Sequence, residues 1–153
     1  MKHSDFARHE TGHLLVSSFY CMGDMTFTMT DEGVASLETE HGPRTANEYF
    51  DLMLAGAFCE LYHGAEGITL QQILSGTNWF SLLSTETARL DLEIVGPMLT
   101  HELVLQSASR VQRILDKFFS GSNPEALETL TGAIERMEPG QSFKIKRKSK
   151  IIH

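Results

Sequence analysis

His9-Glu10-Thr11-Gly12-His13, leading into Leu14-Leu15-Val16, is the stretch on which the reading of this chain turns. Two histidines four residues apart stand on one helix face, one turn above the other, so both imidazoles can reach a single ion. Glu10 comes between them in sequence and can reach a water on the adjacent side of that ion. Zinc in such a place lowers the pKa of its water toward ~7, and the glutamate takes the proton as the water attacks a carbonyl. The same glutamate can then protonate the leaving amine. Peptide hydrolysis suits this spacing. Five residues with three fixed positions also describe two surface histidines flanking a solvated glutamate. The surroundings favour the metal reading. Ser4 or Asp5 offers an N-cap for a helix over about 5–20. The half from Leu14 to Phe19 is apolar nearly all round and therefore expected to be buried. Gly12, which costs about 1 kcal/mol against alanine inside a helix, suits close approach of another backbone.

Outward from the motif, Met25, Phe27 and Met29 alternate with threonines, the period of a strand. Asp31-Glu32-Gly33 reads as a turn and 34–39 as its partner strand. After Gly42-Pro43 a second helix is expected over about 45–63, ended by Gly64. The loop 65–78 holds one short helical turn near 70–74. A third helix is expected from Phe80 toward Ile94, interrupted at Gly96-Pro97. The fourth, about 98–119, carries Leu99, Leu103, Val104, Val111, Leu115 and Phe118 on one side. Asn123 caps a last helix with Pro124 at its first position, and Leu127, Leu130, Ile134 and Met137 form its buried stripe. Pro139-Gly140 closes the expected ordered part. The class is mainly α (α+β): a helical bundle with a small β-hairpin, one domain over 1–140 and a basic tail over 141–153.

Composition sets the frame. A chain of 153 residues, 41 % of them hydrophobic, makes one domain with a real core. The net charge is −7. Lys144, Lys146, Arg147, Lys148 and Lys150 concentrate positive charge at the C-terminal end, so the rest is strongly acidic and general nucleic-acid binding is disfavoured. No stretch reaches the roughly 18 apolar residues of a membrane span, and the polar residues 1–10 are not expected to act as a signal peptide. Cys21 and Cys59 are expected as reduced thiols. A soluble cytoplasmic protein is expected.

The chain resembles the peptidase domain of the FtsH type. The first motif is similar to that family's His-Glu-Ala-Gly-His followed by small and apolar residues. Leu54-Ala55-Gly56-Ala57-Phe58-Cys59-Glu60-Leu61-Tyr62-His63-Gly64 is similar to its Leu-Ala-Gly-Arg, small residues, acidic pair and terminal Phe-Gly. Ser75-Gly76-Thr77-Asn78, with Ala88-Arg89 beyond it, is similar to its Thr-Gly-Ala-Ser-Asn-Asp and later Ala-Arg. The resemblance covers most of 5–120. It implies a zincin-like fold, a Zn2+ cofactor held by His9 and His13, Glu10 as general base, and peptides or unfolded proteins as substrates. It also implies self-association and, because no phosphate-binding loop occurs here, a motor supplied by a separate ATPase chain if one is used. The family's arginine is Ala57 here, and the stretch between the first motif and Leu54 is shorter than usual. The family's third ligand, an aspartate, aligns with Phe80, or with Trp79 across a one-residue gap, and neither binds zinc.

Zinc needs a third protein ligand for this chemistry. Glu60 extends the stripe Tyr49, Met53, Gly56 at helical spacing and is the leading candidate, either as ligand or as the partner that orients a ligand histidine. His63 lies on the same face. Asn78 and Thr77 are poor zinc ligands. Asp91 stands three turns past Phe80 on the expected third helix, roughly 16 Å along its axis, and Glu86 faces elsewhere on it. The alternative function is a catalytically inactive relative that serves as a peptide-binding or assembly module.

Overall fold

The computed structural model describes residues 3–31, 34–64, 67–76, 78–120 and 124–145, with side chains from residue 6 onward and, in the last helix, from residue 130. Its elements are α1 (His3–Phe19), β1 (Met25–Met29), β2 (Ala35–Thr39), α2 (Ala46–Gly64), α3 (Leu70–Ser75), α4 (Trp79–Leu83), α5 (Arg89–Val95), a 3-10 turn (Gly96–Met98), α6 (His101–Phe119), α7 (Pro124–Glu135) and β3 (Ser142–Ile145). The expected caps at Ser4 or Asp5 and at Asn123, the Glu32-Gly33 turn, Thr77, Leu127 and the basic residues 146–150 lie outside the described residues or side chains.

The molecule is mainly helical with one three-stranded antiparallel sheet. α1 sits at its centre: Leu14, Leu15 and Val16 are buried as expected, with Ser17, whereas Ser18 and Phe19, expected buried with them, are exposed at the C-terminal end of the helix. Leu15 and Val16 face a helical core with Leu54, Phe58, Leu74, Val104 and Leu115. Leu14 faces the other way, into a smaller core with Met25, Phe27 and Ile134. α1 and α2 run antiparallel and touch through glycine. A Cβ at Gly12 would overlap the Ala55 carbonyl and lie 2.6 Å from Cys59 Cβ. A Cβ at Gly56 would overlap the His9 ring. Without side chains at these two points the helices approach closely enough to place His9 against α2.

α6 is fixed to this pair by a buried charge. Asp51, fully buried on α2, accepts two hydrogen bonds from the Arg110 guanidinium (2.8 and 2.9 Å), one from Ser107 Oγ (2.6 Å) and one from the Tyr20 hydroxyl. A carboxylate so enclosed is tolerable only because its lone pairs are met. Arg44 donates to the carbonyls of Tyr20 and Cys21, which completes the C-terminal end of α1. Cys21 and Cys59 are both free. No helix among the described residues is long and apolar enough to cross a membrane.

Two expectations are corrected. The chain does not leave the fold at Gly140: Ser142-Phe143-Lys144-Ile145 returns as β3 against β1, with Phe143 opposite Phe27, giving the order β2-β1-β3. Alternation of apolar and polar residues drives this, and Lys144 projects from the exposed face of a strand. The third helix is not continuous either. It stops at Leu83, and α5 starts at Arg89. Ser84 Oγ bonds back to Phe80 O, and Thr85 Oγ1 accepts from Ala88 N at 3.2 Å. Hydroxyl side chains that bond nearby backbone compete with a helix, and the run Ser84-Thr85-Glu86-Thr87 does so here.

Candidate metal centre

α1 presents Phe6, Glu10, His13 and Ser17 along one stripe to a cleft of about 390 Å³, with His9 at its base. β2 forms one wall through Ala35, Leu37 and Thr39, and α2 another through Leu52 and Met53. The broken third helix closes the cleft. Because α5 starts afresh at Arg89, Asp91 is carried over the histidines and not along an axis away from them. Asp91 Oδ2 lies 3.0 Å from His9 Nε2 and 3.1 Å from His13 Nε2, and the two Nε2 atoms are 3.1 Å apart. The separation expected from Phe80 along an unbroken helix therefore has no bearing on where Asp91 sits.

Each imidazole is oriented from behind. His9 Nδ1 donates to Glu60 Oε2 at 2.9 Å, and His13 Nδ1 donates to the Leu52 carbonyl at 2.8 Å. With both Nδ1 atoms occupied, both Nε2 lone pairs point to one place in the neutral tautomers. Thr87 Oγ1 donates to the same Glu60 oxygen at 2.6 Å, and Thr85 and Thr87 hydroxyls lie 3.0 Å apart. A hydrogen-bonded chain thus runs from His9 through Glu60 to the linker that carries Asp91.

His9, His13 and Asp91 are the described residues whose donor atoms could hold a metal ion. The fit is close: donors at 2.0–2.1 Å in a tetrahedral set are roughly 3.3 Å apart, a few tenths of an ångström more than the triangle seen. Two ring nitrogens and a carboxylate oxygen form a donor set that suits zinc, copper, iron or nickel better than magnesium or calcium. His9 is 2 % exposed and Asp91 25 %, so the site is enclosed on the α1–α2 side and open toward the cleft.

Protons respond to the same geometry. Burial opposes charge on His9, but the hydrogen bonds it donates to Asp91 and Glu60 and the nearby Glu10 carboxylate outweigh it and hold its pKa up at about 9. Burial acts against ionisation of Asp91 too, yet its two histidine partners hold its carboxyl well below the usual range. Burial pushes the Glu10 pKa up, against the pull of both histidines.

Of the residues singled out in the sequence, His9, Glu10 and His13 come together with one another. Glu60 lies on the Nδ1 side of His9, and it is Asp91 that lies with the two Nε2 atoms. His63 packs edge-on to Phe119 (centroids 4.8 Å apart) at the end of α2, away from the cleft. Asn78 caps α4, accepting from Ser81 N. Trp79 packs on the helical core, and Phe80 lines a separate groove with Leu92 and Pro97. Glu86 lines the same cleft as the histidines. The one signal for Asp91 was the Ser-Thr-Glu-Thr run ahead of it, a weaker mark of a helix break than glycine or proline. No family model, no curated protein and no solved structure matches this chain.

Proposed function

We propose that this chain is a zinc-dependent peptidase with a zincin-like site of the FtsH kind, its ion held by His9, His13 and Asp91. The observation that carries the reading is the convergence of two Nε2 atoms and one carboxylate oxygen within 3.1 Å, each imidazole held from behind by its own acceptor. Zinc so bound would supply a Lewis acid that activates water and polarises a peptide carbonyl. Glu10, in the same cleft, takes a proton from the attacking water and delivers it to the departing amine. Glu60 keeps His9 in the tautomer that offers Nε2. Among the described residues β2 pairs with β1 on one side only, so its other edge offers main-chain groups to a peptide in extended form. Loose peptides or unfolded segments fit such a groove. A folded substrate would need a motor on another chain, and self-association is compatible with that arrangement.

Elemental analysis of the protein purified without chelator, joined to a peptide-cleavage screen, tests this. One zinc per chain is expected, with Asp91→Asn losing most of it. Glu10→Gln should keep the metal and lose cleavage by at least 100-fold, the scale of general acid–base catalysis. Failure of the chain to take up zinc when it is supplied would end the enzyme reading and favour a peptide-binding or assembly module. Full metal retention by Asp91→Asn would remove Asp91 from the ligand set.

A further inference from the structure

Ser17 stands on α1 one turn beyond His13 and two beyond His9, on the stripe that floors the cleft. It is fully buried, and its hydroxyl has no hydrogen-bond partner among the described residues, the one such buried side-chain atom found there. A buried hydroxyl left unpaired costs about 1–3 kcal/mol, and alanine would fill the position without that cost. Its backbone is already satisfied, since Ser17 O accepts from Met22 N at 3.1 Å.

The surroundings define a subsite. Met22 O in turn accepts from His41 N, and Thr39 pairs with Met25, so the Thr39 end of β2 lies at the Ser17 end of α1. Leu37 and Thr39 wall this end from β2, and Leu52 and Met53 belong to the α2 wall. The Thr39 hydroxyl is engaged, donating to His41 O at 2.8 Å. The charged and titratable lining residues have other places: His9, Glu10, His13 and Asp91 around the candidate metal site, with His13 one turn from Ser17 and turned to the Leu52 carbonyl, Glu86 in the linker and Arg89 at the start of α5. Ser17 is about 12 Å of helix rise from His9, whose partner Glu60 bonds the α5 linker. The part of the cleft wall beside Ser17 is therefore mostly apolar, with one neutral, unpaired hydroxyl buried behind it.

We infer that Ser17 is the specificity-determining floor of a subsite next to the metal centre, which selects a substrate side chain with an apolar body and an uncharged hydrogen-bonding tip, a tyrosine or a carboxamide. This rests on the peptidase reading for the direction of the peptide, and not for the unpaired hydroxyl behind the cleft wall. A charged tip would be left without a counter-ion there. A purely apolar tip would leave the hydroxyl unpaired. Because Ser17 is fully buried, the incoming side chain reaches it by parting the wall, and Met53, unbranched and with three rotatable bonds, is the wall residue best able to yield.

The test uses zinc-loaded Glu10→Gln protein, so that binding is read without turnover. Fluorescence anisotropy with peptides of one length compares Tyr against Phe, and Asn against Leu, at each position in turn. One position should favour the polar member by about 3- to 10-fold, the discrimination of a single neutral hydrogen bond. Adding Ser17→Ala should abolish that preference there and leave the others as they were. The melting temperature of Ser17→Ala should equal or exceed that of the parent, because no native bond is lost. Equal discrimination with and without Ser17→Ala, absence of any such position, absence of peptide binding, or a clearly lowered melting temperature each overturns the inference. A protein that binds with this preference but whose Glu10 form cleaves nothing would sink the peptidase reading and leave the subsite standing.

Discussion

An imidazole serves a metal through one nitrogen only when the other is held, and here the two histidines are held by different kinds of acceptor. His13 uses the neutral Leu52 carbonyl, and His9 uses the Glu60 carboxylate. The carboxylate is the stronger partner, since a charged acceptor makes His9 more basic and fixes its ring more firmly. Thr87 and Glu60 are joined as well, so the second carboxylate and the Asp91 linker are set by one network. Glu60→Gln keeps the size of the side chain and removes the charge. On the proposed reading it should weaken zinc binding by about 10- to 100-fold, measured by competition against a chromophoric chelator, while Asp91→Asn should weaken it more. Equal losses for the two would mean that Glu60 contacts the ion itself. At this scale the sequence was informative about the pair of histidines, because i and i+4 spacing fixes their common face. It was also informative about Glu60, whose place on the inward stripe of α2 followed from helical period. Asp91 was hidden, because its position depends on where a helix stops, and a stop made by serine and threonine hydroxyls leaves no glycine or proline to mark it.

Between elements, the decisive contact is that of α1 with α2. Gly12 lets the Ala55 carbonyl and Cys59 come in, and Gly56 provides the space that the His9 ring fills. The two glycines do different work. Gly12 sets helix separation, whereas Gly56 sets the position of the His9 ring. Gly56→Ala would gain helix propensity of roughly 1 kcal/mol but would force the His9 ring or the helix to move, at a cost of about 1–3 kcal/mol. Stability should therefore change little or fall modestly, while metal uptake falls steeply. Thermal melting and zinc content on the same sample separate these effects, and unchanged zinc content would show that the ring has room to adjust. The close approach at Gly12 was legible as a glycine inside a helix. The β3 strand was not, because Lys144 was counted with the basic residues after it, and only pairing with β1 shows that Phe143 and Ile145 face inward while Lys144 faces out.

For the molecule as a whole, the proposed metal would compete with protons for one buried cluster. In metal-free protein His9 has a pKa of about 9, raised from an ordinary 6.5. Its ion-paired form thus adds stability that is fully present below pH 6.5 and is lost as pH rises through about 9. Asp91, held below the usual carboxylate range, adds stability at pH above the ordinary carboxylate value and loses it on acidification. The two describe the same contacts, so together they amount to no more than about 3 kcal/mol. Glu10, raised by burial, acts in the opposite sense: the fold disfavours its ionised form, and this cost grows as pH rises past its ordinary value. Metal-free protein should therefore be most stable on the acid side of neutrality and weaken steadily toward pH 8.5. A metal ion needs the His9 nitrogen unprotonated, so its affinity rises with pH, and at a hundred times its dissociation constant it stabilises the fold by about 2.7 kcal/mol. Melting curves between pH 5.5 and 8.5, with chelator and with zinc, should lie close together at the acid end and separate as pH rises. Curves that stay parallel across that range would mean that the ion does not displace the His9 proton, and the ligand triangle of His9, His13 and Asp91 would then have to be given up.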